Sequence, residues 1–380
     1  MRLGQQRQAW TDSVLPLCQI NSTTRGAMTR RIKAFQRPRD LQHFKLYGSL
    51  QAMDKLAIAT TFYNNRHLTI FSSEDLTHAT WDFINERNDF WESLTFDMYF
   101  PHTAASPGLE NLDLSNWKNL TSFTCRATSN QRWVDHLIIR SLVTASPKLI
   151  NLTIFDLDGK SPVVRPEPQV LCKLQSLHLR RLRDCDRHTL RYLVSQSYHS
   201  LQELTIVLDC TPRNEIRTQR FYRGIRASQL RAAFSRCTRI RTLRIADHVA
   251  SMSPPTPFTG EYDPEDGPLG FIVDDMVRDL RRLKNLHTWG HIFSMDLFDN
   301  LRMSGCRIKS LSIQSYPNFP LSLFLEELKH NQALKRLESL AFGDVWLPPK
   351  NVSAITSLCK ERKIKLQFLH HEYQTPNRIY

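Results

Sequence analysis

Leu174 to Ile206 reads LQSLHLRRLRDCDRHTLRYLVSQSYHSLQELTI. Leu174, Leu177 and Leu179 are spaced L-x-x-L-x-L, a tight turn into a short strand. Leu190, Leu193 and Val194 then give the i, i+3, i+4 spacing of one helix face. The same phrase restarts at Leu201, Leu204 and Ile206, 27 residues on. One strand and one helix cannot hide their own apolar side, so copies must stack on one another. The stretch therefore predicts a repeat architecture.

Outward from this stretch the phrase recurs in both directions. Leu41, Phe44 and Leu46 give the first strand, and LQAMDKLAIATTFY from Leu50 the first helix. Leu68 with Ile70 and Leu94 with Phe96 give the next two strands. Two phrases then compete, Leu109/Leu112/Leu114 and Leu120/Phe123/Cys125, only 11 residues apart. The 29-residue step from Trp91 selects the second as strand and leaves LENLDL irregular. Anchors at Leu120, Leu149, Leu174 and Leu201 follow in steps of 29, 25 and 27. Steps of 39 and 43 reach Ile240 and Leu283, and steps of 25 and 29 reach Ile308 and Leu337. Leu321, Phe324, Leu325 and Leu328 form an i, i+3, i+4, i+7 helix face, and Lys365–Leu369 is the last strand.

The period is that of the leucine-rich repeat, roughly 20 to 29 residues. It predicts a single irregular α/β leucine-rich-repeat solenoid (horseshoe) over 41–369, with about eleven or twelve repeats, a concave parallel sheet and helices on the convex side. Residues 1–40 lack the strand phrase. Leu17, Ile20, Met28 and Ile32 there suit short helices over Val14–Phe35 that cap an open end. The two long steps contain insertions, 211–226, rich in arginine, and 251–270, rich in Pro, Gly and acid, which must be an exposed loop. Residues 370–380 form a polar tail.

With 41% apolar and 23% charged residues the composition is that of an ordinary soluble globular protein. No run approaches the roughly 18 apolar residues of a membrane span, and the N-terminus has no signal-peptide run, so a cytoplasmic or nuclear setting without a membrane partner is expected. The eight cysteines show no C-x-x-C and no zinc spacing. Free, mostly buried thiols are expected, with no metal and no cofactor. The net charge of +14 is concentrated, because Lys173–Arg244 holds 16 Lys and Arg against 5 Asp and Glu.

In L-x-x-L-x-L the later leucines point inward, so their neighbours point out from the strand. The predicted concave face carries Ser122, Thr124 and Arg126, then Asn151, Thr153 and Phe155, then Ser176, His178 and Arg180. It continues with Glu203, Thr205 and Val207, with Thr242, Arg244 and Ala246, with Asn285, His287 and Trp289, and with Ser310, Ser312 and Gln314. Arg126, Phe155, His178, Arg180, Arg244, His287 and Trp289 are the candidate partner-binding residues, since arginine and aromatic side chains combine large contact area with directed hydrogen bonds. The expected occupant is a protein substrate, and no catalytic residue is assigned.

Two rival readings follow from other residues. Arg180, Arg181, Arg183, Arg187, Arg191, Arg213, Arg217, Arg220, Arg223 and Arg226 could form a positive stripe for nucleic acid or another polyanion. Few aromatics interleave them, which disfavours base stacking. The run Phe155-Asp156-Leu157-Asp158-Gly159, with Phe271-Ile272-Val273-Asp274-Asp275 downstream, resembles the first and last motifs of haloacid-dehalogenase phosphatases. That resemblance implies an aspartate nucleophile near magnesium. Lys160 stands where a small hydroxyl residue belongs.

The phrases LENLDLSNW, LINLTIF, LQSLHLRRL, LQELTI and IKSLSI resemble the leucine-rich-repeat half of an F-box protein, the substrate receptor of a cullin-type ubiquitin ligase. Trp117, Leu157, Leu182, Tyr316 and Val345 replace the usual ninth-position Asn or Cys, so the side-chain ladder that bonds loop backbone is expected to be missing. Leu15-Pro16-Leu17-Cys18-Gln19-Ile20-Asn21 resembles the closing part of an F-box, while the opening L-P-x-E-L segment is absent. The resemblance implies substrate recognition within a ubiquitin ligase, with residues 1–40 facing the adaptor. An F-box-free repeat scaffold is the alternative.

Overall fold

A strand buried on one side needs an apolar residue at every second position, and the leucine phrase supplies that pattern in every copy. The computed structural model describes residues 43–47, 66–72, 78–86, 88–99, 112–113, 117–128, 134–155, 157–158, 172–182, 187–208, 234–247, 272–290, 292–314, 316, 319–343, 345, 347 and 349–369. They fall in two compact units, Met1–Val134 with Ile138–Leu149, and Asp135–Leu137 with Ile150–Tyr380.

In the first unit β1 (His43–Tyr47), β2 (His67–Ser72), β3 (Ser93–Tyr99) and β4 (Ser122–Thr128) are parallel and lie in chain order. Leu68, Ile70, Leu94, Phe96, Phe123 and Cys125 are their buried positions. Helix α1 (His78–Asn85) sends Trp81 to within 5.6 Å of the Phe96 ring, and Phe96 lies 5.9 Å from Phe123. Most of α2 (His136–Ala145) also belongs here, with Ile139, Leu142 and Val143 buried.

The second unit contains β5 (Asn151–Phe155), β6 (Ser176–Leu182), β7 (Glu203–Leu208), β8 (Thr242–Asp247), β9 (Asn285–Trp289), β10 (Ser310–Gln314), β11 (Ser339–Gly343) and β12 (Lys365–Leu369). Each from β6 onward pairs in parallel with its predecessor in sequence. Asn151, Ser176, Glu203, Thr242, Asn285, Ser310 and Ser339 are register partners, so the chain returns after 25, 27, 39, 43, 25 and 29 residues. These are the steps read from the leucine anchors.

The helices of this unit are α3 (Arg187–Ser197), α4 (Ile272–Val277), α5 (Asp296–Ser304), α6 (Leu321–His330) and α7 (Pro349–Glu361). They pack on the apolar side of the strands. Phe324 of α6 sits 5.3 Å from Phe298 of α5 and 6.0 Å from Phe342 of β11, while Phe319 joins Phe324 at 5.4 Å and Tyr316 at 5.3 Å. Burying one such ring stabilises by about 1.5–3 kcal/mol, so this cluster ties three consecutive repeats together. Gly305 follows α5 in the left-handed conformation at φ 68°, where a side chain would be strained, and its N–H donates to the Arg302 carbonyl.

Strands β6 to β11 begin in the same way. The N–H groups of Gln175 and Ser176 both donate to the Ile150 carbonyl, those of Gln202 and Glu203 to Gln175, and those of Arg241 and Thr242 to Gln202. Lys284 with Asn285, Lys309 with Ser310 and Glu338 with Ser339 continue the series. The pattern repeats whether the return is 25 or 43 residues long.

Several sequence readings lie beyond the described residues, namely 1–40, the helix from Leu50, 211–226, 251–270, Asp156 and the tail 370–380. Leu112 and Asp113, from LENLDL, are outside any strand, and the second competing phrase forms β4. The missing loop ladder is replaced rather than simply lost. Trp117 donates its indole N–H to the Asp113 carbonyl, and Tyr316 donates its hydroxyl to the Phe293 carbonyl at 3.1 Å. Asn331 donates to the Phe298 carbonyl at 2.8 Å, and Arg362 to the carbonyls of Leu328 and Leu334. Among the described residues, no helix is long and apolar enough to cross a membrane.

The phosphatase resemblance meets a different geometry. Asp274 lies inside α4, not after a strand, and is buried. Its carboxylate accepts from the Ser294 N–H and, at 2.6 Å, from the Ser294 hydroxyl, while Asn300 donates to its carbonyl. It fixes the loop that leads into α5.

Candidate partner-binding face

The face of each strand opposite the helices is polar because the residues between the leucines are polar. In the second unit the register places Thr153, His178, Thr205, Arg244, His287, Ser312, Ala341 and Gln367 in one row across eight strands. Parallel neighbours stand about 4.8 Å apart, so adjacent members of the row touch.

The row is internally bonded on one side of Arg244, and the rows next to it are bonded as well. His178 Nδ1 lies 2.8 Å from Thr205 Oγ1, and Thr205 is 4% exposed. In the row below, Asn285 donates to the Thr242 hydroxyl at 3.0 Å, and at the far side Gln314 donates to the Ser312 hydroxyl at 3.0 Å. Arg244 itself is exposed and makes no ion pair among the described residues.

Both imidazoles of the row are held neutral. Burial first, and Arg244 second, push His287 down to about 4. Burial also lowers His178, with Arg180 and Arg244 acting in the same direction against a smaller opposing pull from Glu203. The centre of the row thus presents one exposed cation between two neutral rings that give and accept hydrogen bonds. Such a set suits a carboxylate or phosphate on an approaching chain.

The other candidates divide. Phe155 and Arg180 form a stacked pair, the guanidinium carbon 5.4 Å from the ring centroid. Trp289 is half-buried with its indole nitrogen turned inside, so it is less open than the sequence implied. Arg126 belongs to the first unit, where it lies 3.7 Å from Asp97, its register partner on β3. That carboxylate offsets its charge and makes it a weaker anchor than the sequence implied. The arginine-rich candidates from 183 and from 213 to 226 lie outside the described residues.

The hydroxyls of Thr205 and Ser312 in the row, and of Thr242 beside it, are bonded there but carried no weight in the sequence reading. Their positions were legible, since each occupies an outward phase of its phrase. Their burial was not.

No family model matches the chain, and the search of curated proteins finds no match.

Proposed function

We propose that the chain is an irregular leucine-rich-repeat solenoid that binds a partner protein on its polar face, as the substrate-recognition subunit of a cullin-type ubiquitin ligase. The repeat period, the parallel strands in chain order and the phrases resembling F-box proteins support this reading. The observation that carries the binding part is Arg244, an exposed cation set in a row of ordered, neutral, polar side chains. A solvated surface has no need of such order. A partner segment that lies across the strands and brings one anionic side chain to Arg244 would use it.

The test is affinity capture from native cells with the unaltered chain, with Arg244→Glu and with Arg244→Ala/Trp289→Ala. Partners present with the unaltered chain should disappear in both variants, whose melting temperatures stay within a few degrees of it. Adaptor and cullin should be captured alike by all three chains. Partner capture without adaptor or cullin would leave a repeat scaffold and remove the ligase role. Unchanged partner capture by both variants would remove the polar face.

A further inference from the structure

The segments leading into the last five strands of the second unit have a charge pattern that the polar face lacks. They are 234–242, 278–285, 305–310, 335–339 and 360–365, and together they hold fifteen Lys or Arg and three Asp or Glu. This surplus of 12 on five short turns compares with +14 for the whole chain. Twelve of the fifteen cations are exposed and enter no ion pair, side-chain hydrogen bond or ring contact among the described residues. The exceptions are Lys309, bonded to Glu338, Arg236, stacked over Tyr198, and Arg362, which holds two backbone carbonyls.

Backbone geometry makes these turns a ridge. Lys284 N–H donates to Arg241 O at 2.8 Å, Lys309 N–H to Lys284 O at 2.7 Å, Glu338 N–H to Lys309 O at 2.8 Å and Lys365 N–H to Glu338 O at 2.9 Å. The cations are therefore ranked along the edge where the strands begin, one group per strand at intervals of about 4.8 Å, over about 19 Å. The ridge is separate from the polar face and its argument does not depend on that reading.

We propose that this edge docks the phosphate backbone of a double-stranded nucleic acid. Charge density selects the occupant. A duplex carries one negative charge per about 1.7 Å of axis, so about 19 Å of it presents roughly 11 charges, close to the surplus on the ridge. An extended polypeptide advances about 3.3 Å per residue and would present only about six charges if every residue were acidic. The sole aromatic residue in the five segments is Phe234, which is buried, so no ring is offered for stacking an unpaired base. Contacts confined to phosphates fix position without reading sequence.

The experiment measures fluorescence anisotropy of a labelled mixed-sequence duplex with the full chain, in KCl from about 50 to 200 mM. One phosphate neutralised by each of the eight cations replaced below gives a slope of log affinity against log salt near −7.2, or about 20,000-fold weaker binding across that range. Arg241→Gln/Lys284→Gln/Arg307→Gln/Arg336→Gln should make the slope shallower by about 3.6. The independent set Arg239→Gln/Arg282→Gln/Lys335→Gln/Lys363→Gln should do the same, so misfolding of one set would not decide the matter. Lys329→Gln/Lys350→Gln, on helices α6 and α7, should leave the slope unchanged. Absence of duplex binding at the lowest salt, or a slope untouched by both folded sets, would overturn the proposal. So would tighter binding to poly-glutamate or to anionic vesicles than to the duplex.

Discussion

Replacing Asn331 by alanine should be among the most damaging small changes in the second unit. Asn331 is 1% exposed and closes three side-chain bonds, one of them to the preceding repeat. Its amide donates to the Phe298 carbonyl at 2.8 Å and to the Glu327 carboxylate at 2.7 Å, while its oxygen accepts from the Ala333 N–H at 2.9 Å and so caps the turn Gln332–Leu334. Ala333 is buried, so alanine leaves its N–H without partner or water at a cost of about 1–3 kcal/mol, while the Phe298 carbonyl, inside α5, keeps its helix bond and loses its second donor at about 1 kcal/mol. The expected destabilisation is about 3 kcal/mol, or about 6–12 °C in melting temperature for a unit of this size. Asn331→Asp keeps the cap but loses the donor and brings a second carboxylate against Glu327. It should be nearly as damaging at pH 7.5 and milder at pH 4.5, where the added group carries a proton to donate. Urea unfolding followed by circular dichroism measures both. A loss below about 1 kcal/mol in the alanine variant would refute the view that this side chain bridges repeats.

Further expectations rest on other parts of both units. Phe324→Ala empties the middle of the cluster formed with Phe298, Phe319 and Phe342, and should cost about 3–5 kcal/mol in urea unfolding; a loss under about 1 kcal/mol would mean that its neighbours close the gap. His287, held at about 4, stays neutral while an unfolded imidazole protonates near 6.5. Its contribution to stability is whole above that upper value and is lost as pH falls through the window, by roughly 3 kcal/mol. Proton NMR should show the His287 ring titrating near the lower value, and Arg244→Gln should raise it; a midpoint near 6.5 in the native chain would contradict the burial. Burial drives the thiols of Cys172 and Cys237 up to about 12, so with Cys125, Cys306 and Cys359 they should resist native alkylation at pH 8 and react in urea. Peptide mapping by mass spectrometry distinguishes the outcomes, and native labelling of these five would show that the core opens.

What the sequence disclosed follows from where each force acts. The leucine phrase sets strand position and phase because alternation and burial are local, and this is why anchors counted from Leu120 to Leu337 match the registered partners in each unit. Neighbour effects needed one more step. Asp97 occupies in β3 the position that Arg126 occupies in β4, so their pairing was readable once β3 was phased, yet attention stayed on the arginine. Asn331 gave no signal, since it lies between helix and strand where no periodicity operates. The basic ridge is invisible to any window, because five turns separated by some 25 to 43 residues each add a few charges. The arginines dense enough to notice in the sequence lie largely outside the described residues.

The paired N–H groups that open β6 to β11 have a consequence for how this chain can change. Both donors fall on the carbonyl of the preceding repeat, and neither involves the path by which the chain comes back. A return of 43 residues therefore seats its strand as faithfully as one of 25, and the entropy of closing a longer loop grows only slowly. Lengthening or trimming those excursions would alter what hangs beside the sheet while leaving every displayed side chain in step with its neighbours.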